Sequence, residues 1–138
     1  MLTYNNIDDK LKAFCDQECN VPFQYGVDDC SRFAAKWVKD FSGRTVIEDW
    51  PEYTDENSAI IVLASMGYDS QEEALDHFFK RIPKTRLMRG GLVGHYFPNF
   101  GLMAVGVFMG DSAVFKSPDG IYMLPYKKID RNLCWSIE

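Results

Sequence analysis

Cys30 stands between Asp29 and Ser31, and behind it Phe33, Ala34, Trp37, Val38 and Phe41 recur at three- and four-residue spacing. That spacing predicts a helix with one apolar face. Asp29 suits its N-cap, because a carboxylate there can accept a bond from a free N–H of the first turn. Gly43 supplies the stop. A helix N-terminus carries about half a positive charge and several free N–H groups. A thiolate at that point is stabilised, and thiolate is the nucleophilic form. The same N–H groups could hold the oxyanion of an acyl-transfer intermediate. The competing reading is a plain core cysteine, since free cysteine is among the most buried residue types.

A nucleophile of this kind needs a base. The chain has two histidines. His95 closes the apolar run Gly91 to Tyr96 and is the candidate base. His77 lies between Glu73 and Arg81 on a polar helix face and reads as a solvated residue. Asp28 and Asp29 read as turn and cap residues. The other cysteines are Cys15, Cys19 and Cys134, with no CxxC pair among the four. A zinc site wants two paired ligand clusters, so reduced thiols are expected, with no metal and no cofactor.

These residues must be positioned by the rest of the chain. Residues 6–19 predict a helix capped by Asn6, with Ile7, Leu11, Phe14 and Cys15 as its stripe. Asn20-Val21-Pro22 breaks it. Thr45 to Tyr53 looks irregular. Thr54 then caps a helix whose inward residues are Ala59, Ile60, Leu63 and Met66, ended by Gly67. Ser70 to Glu73 is a capping box; it opens a helix with Leu75, Phe78, Phe79 and Ile82 inward, closed by Pro83. Beyond it the period changes. Gly91 to Tyr96 and Leu102 to Met109 are short apolar runs, the second fit for a buried strand. Gly110-Asp111 and Ser117 to Gly120 are turns, followed by Ala113 to Phe115 and Ile121 to Leu124 respectively as strands. Tyr126 to Asn132 suits a helical turn, and Leu133, Trp135 and Ile137 alternate as a half-buried strand. Helices first and an antiparallel meander after them make an α+β layer fold.

The 138 residues suit a single domain, 1–138. Charged residues at 25% and apolar residues at 46% are ordinary globular values. A net charge of −5 with no basic patch argues against nucleic-acid binding. No run is long enough for membrane insertion. The first ten residues lack a basic and then an apolar region, so no signal peptide is expected and synthesis is placed in a cytoplasm.

Three stretches carry a family resemblance. Tyr25-Gly26 followed by Asp29-Cys30-Ser31 with Phe33 is similar to the Y-x-W-G … D-C-S-G-F block of NlpC-type cysteine peptidases. Arg89 to Val93 resembles that family's R-G-D-L-V strand start. Val105 to Gly110 resembles its H-V-G-I-Y-I-G strand and hairpin. The resemblance spans most of the chain after residue 22. It is stronger still to a phage and prophage group of that fold whose function is unsettled. It implies a papain-like fold, Cys30 at the nucleophile position, and a setting among phage tail proteins or at cell-wall peptidoglycan. Two positions depart from the pattern. Ala104 stands where the family has its histidine, and Lys116 where it has a third polar residue on the next strand.

Two readings follow. In the preferred one, the chain is a phage tail-associated structural or binding protein on a peptidase scaffold with an incomplete catalytic set. Its localisation is then the virion tail, and the loop aromatics Tyr96, Phe97 and Phe100 are its candidate anchor. The bland reading of those rings is that they cap the sheet. In the alternative, the chain is an active endopeptidase or amidase cleaving peptidoglycan. There Cys30 attacks an amide carbonyl, His95 moves the proton and helix-head amides hold the oxyanion.

Overall fold

The computed structural model describes residues 4–98 and 101–137, with side chains from Ile7 onward. The architecture is α+β: four helices and one six-stranded antiparallel sheet. The helices are α1 (Tyr4–Glu18), α2 (Cys30–Ser42), α3 (Glu56–Ser65) and α4 (Gln71–Phe78). The strands are β1 (Lys80–Arg81), β2 (Leu92–His95), β3 (Ala104–Phe108), β4 (Ser112–Ser117), β5 (Gly120–Pro125) and β6 (Cys134–Ser136). They lie in the order β1-β6-β2-β3-β4-β5.

Helix α2 organises the core. Its predicted stripe is buried: Phe33, Trp37 and Val38 have no exposure at all, and Phe41 packs on Trp37 with ring centres 5.5 Å apart. This stripe lies with Phe14 of α1 against Leu92, Val105, Val107, Val114 and Trp135 of the sheet. Each large apolar side chain so buried stabilises by roughly 2–3 kcal/mol. The Trp37 indole N–H donates to the Gly90 carbonyl at 2.8 Å, which satisfies its one polar group in the core. A second cluster on the sheet's other face holds Val93, Phe108, Phe115, Leu124, Ile129 and Cys134. The last strand is therefore covered on both faces, not half-buried as its alternation suggests. At Gly106 a Cβ would stand 2.7 Å from the Val114 carbonyl oxygen and from the Phe115 ring, so only glycine lets β3 and β4 approach there.

Several local expectations are corrected. Asn6 lies inside α1, whose helix begins at Tyr4. Asp55 caps α3 in place of Thr54, bonding the Ser58 amide at 2.7 Å. Val62 is the buried residue of α3, and Ile60 and Met66 face solvent. Ser70 does accept from the Glu73 amide at 3.1 Å, which is one half of the expected box. Helix α4 ends at Phe78, and Lys80–Arg81 form an edge strand against β6 where a longer helix was expected. The helical turn after β5 is short, Tyr126–Lys128.

Candidate functional site

Asp29 builds the head of α2. One carboxylate oxygen accepts from the Arg32 amide at 2.8 Å, and the other accepts from the Gly26 amide at 2.9 Å. The turn that brings Gly26 round has φ +79°, and a Cβ there would run into the Tyr53 carbonyl, so glycine is required. Tyr53 in turn shares a hydrogen bond with Asp29, and Arg32 lies over its ring at 5.7 Å. Nothing in the local pattern of Glu52-Tyr53-Thr54 signals this role; Tyr53 comes to the site only through the fold.

Cys30 is buried, 4% exposed, as the first residue of α2. The amides of Val105 and Ser31 and the Ser31 hydroxyl are hydrogen-bonded to its sulfur. Those contacts favour thiolate, but burial and the adjacent Asp29 charge outweigh them and push the thiol up to about 11. Burial is the larger cause, and the cap adds to it: the carboxylate that satisfies the helix head also opposes a second negative charge. At the helix head the Ser31 amide is bonded to the sulfur and the Arg32 amide to Asp29.

His95 ends β2 and pairs with Ala104 of β3, so it does stand beside the position where the NlpC pattern has histidine. Its ring packs on Phe97 and Phe115, with centres 4.5 and 6.2 Å away. Burial lowers its pKa from the usual 6.5, and the charge that partly offsets this is Asp130, not the thiol. No hydrogen bond joins it to Cys30 among the described residues. Lys116 is buried on β4, with its ammonium 3.7 Å from Glu18 and 3.9 Å from Asp28. Lys36 of α2 binds the same two carboxylates. The third-residue position is therefore occupied by a buried ammonium that faces two acids at ion-pair distance but has no hydrogen-bond partner among the described residues, both acids being hydrogen-bonded to Lys36.

Beside Cys30 lies a cavity of about 110 Å³, walled mainly by Ala34, Val38, Val62, Phe78 and Leu92. Its lining is mostly apolar, with Asp29, Tyr25 and Tyr53 as the titrating groups beside Cys30 and no histidine among them. Of the loop aromatics, Tyr96 is exposed and donates to Glu72 at 2.7 Å. Phe97 packs inward against Phe115 and Tyr122. Phe100 lies outside the described residues. Among the described residues no group of three or more His, Cys, Asp or Glu could hold a metal ion. Among the described residues no helix is long and apolar enough to cross a membrane.

Residues 4–137 match the family described as Domain of unknown function (DUF6950). The chain belongs to that family. Among curated proteins none matches it. The DUF6950 match covers all four helices and all six strands, so Asp29, Cys30, His95 and Lys116 all lie within the family's domain.

Proposed function

We propose that this DUF6950 protein is a structural or binding component built on a papain-like, NlpC-type scaffold, and that it works bound to other proteins of a phage tail. The observation that carries the reading is the state of Cys30. It is buried, its sulfur is enclosed by the Ser31 and Val105 amides beside the Asp29 carboxylate, and no imidazole is bonded to it. A thiol held neutral at physiological pH without a base is a poor nucleophile. Lys116, paired with Glu18 and Asp28, supplies no acceptor that could orient an imidazole. The order of helices before an antiparallel sheet, with cysteine at a helix head, supports the scaffold. The phage setting rests on the sequence resemblance.

The test is hydrolysis of purified peptidoglycan by wild type, Cys30→Ala and His95→Ala, alongside mass spectrometry of purified particles. No release of soluble fragments by any of the three, with the chain present in particles, is the expected outcome. Cleavage by wild type that both substitutions abolish would make the protein an active cysteine endopeptidase or amidase instead.

A further inference from the structure

The two edges of the sheet are built differently. At one edge β1 has only two residues, Lys80 and Arg81, both charged and exposed. Arg81 is further engaged by Asp76 at 2.9 Å and Glu72 at 3.1 Å. Short, charged edges of this kind resist pairing with another chain. At the other edge β5 reads Gly-Ile-Tyr-Met-Leu-Pro, with no charge in six residues. Ile121, Tyr122 and Met123 are 38%, 43% and 56% exposed.

The parity of that edge follows from one bond. The Tyr126 amide donates to the Asp111 carbonyl at 3.0 Å, in continuation of the β4–β5 register. Hydrogen-bonded positions alternate along an antiparallel ladder. Leu124, Tyr122 and Gly120 therefore direct their backbone toward β4, and Ile121, Met123 and Pro125 direct theirs outward. Pro125 has no N–H to lose there, which is the setting in which a strand tolerates proline. Ile121 and Met123 present free N–H and C=O groups flanked by exposed apolar side chains.

The ends of β5 carry opposite charge. Asp119 precedes it, and Lys127 and Lys128 follow it. All three are exposed, and none has an ion-pair partner among the described residues. Asp119 lies in the turn before β5 and Lys127 in the 3-10 turn after it, so an antiparallel pair of two β5 strands related by a two-fold at Met123 brings the acidic end of each copy beside the basic end of the other. Across that two-fold Met123 exchanges both backbone bonds with Met123 of the other copy, and Ile121 donates to the Pro125 carbonyl of the other copy; the Ile121 carbonyl alone is left without a donor. The edges also match in apolar contact and end charge.

We infer that β5 is a self-association edge, at which a second copy of this chain adds its own β5 antiparallel across a two-fold at Met123. This does not depend on whether Cys30 has any chemistry. The edge is short for a stable interface, so the dimer is weak.

Sedimentation equilibrium of the full chain from micromolar to millimolar concentration tests it. Wild type is expected to dimerise. Met123→Pro removes an outward N–H and an exposed side chain but no bond to β4, so its thermal melt should stay close to wild type while dimerisation is lost. Asp119→Lys is expected to raise the dimer dissociation constant about tenfold, since the two-fold repeats the repulsion. Adding Lys127→Asp to Asp119→Lys should restore wild-type association, which only a partner carrying the same reversal can do. A wild type that stays monomeric throughout overturns the inference, whatever other strand the edge takes. So does a dimer that survives both Met123→Pro and Asp119→Lys.

Discussion

The ammonium of Lys116 stands 3.7 Å from the carboxylate of Glu18, and both side chains are buried. They come from β4 and from the last residue of α1. Asp28, in the turn before Cys30, and Lys36 of α2 complete a set of two acids and two bases. The cluster ties the end of α1, the approach to the site and the sheet together, where the sequence resemblance places a polar catalytic partner.

Lys116→Met should therefore destabilise the fold. It leaves two carboxylates facing the single ammonium of Lys36, whose side chain is 42% exposed. Orphaning a buried charge outright costs about 3–5 kcal/mol, and Lys36 moderates that here to about 2 kcal/mol. Glu18→Gln in the Lys116→Met background should recover part of the loss by removing the surplus charge. Urea denaturation of the two single variants and the double variant reads the coupling. Simple additivity would mean that the cluster is not one unit.

The thiols should react in an order set by burial. Cys19 is exposed, whereas Cys30 is buried and pushed up from 9.0 to about 11. Limited alkylation at neutral pH should modify Cys19 and leave Cys30 intact, as peptide mapping will show. Cys15 and Cys134 are likewise pushed up to about 11 by burial. A folded pKa above the unfolded one stabilises the protein while the thiol stays neutral. That contribution is whole below about 9.0 and is lost as pH rises toward about 11. The urea midpoint should accordingly fall above pH 9.0. Equal labelling of Cys30 and Cys19 at neutral pH would contradict the enclosed site.

Asp29→Ala should cost about 2 kcal/mol, because it strips acceptors from the Gly26 and Arg32 amides together. Asp29→Asn keeps an acceptor and should cost less. Both variants remove a charge that raises the Cys30 thiol, so both should shift its alkylation profile to lower pH. A profile unchanged in Asp29→Asn would leave burial as the sole cause of the raised thiol.

Helix α2 was legible because its period, N-cap and C-terminal glycine all agree, and the structure keeps each of them. The antiparallel strands after residue 91 were legible for the same reason, with turns falling at Gly110-Asp111 and Ser117 to Gly120. Where local signals disagree or are too short, reading failed. In α3 the run Ala59 to Leu63 is apolar on every side, so periodicity could not single out Val62. Strand β1 has two residues and no period at all; pairing with β6 makes it a strand.

The sequence by itself determined where Cys30 sits, because a helix head is a local event written in neighbouring residues. Only the tertiary structure decided what Cys30 is. Its ionisation depends on how deeply it is enclosed and on the Val105 amide, brought from a distant strand. The same holds for Lys116. Nothing in Val114-Phe115-Lys116-Ser117 marks a buried lysine, and its burial is tolerable only because Glu18 and Asp28 arrive from elsewhere in the chain to face it.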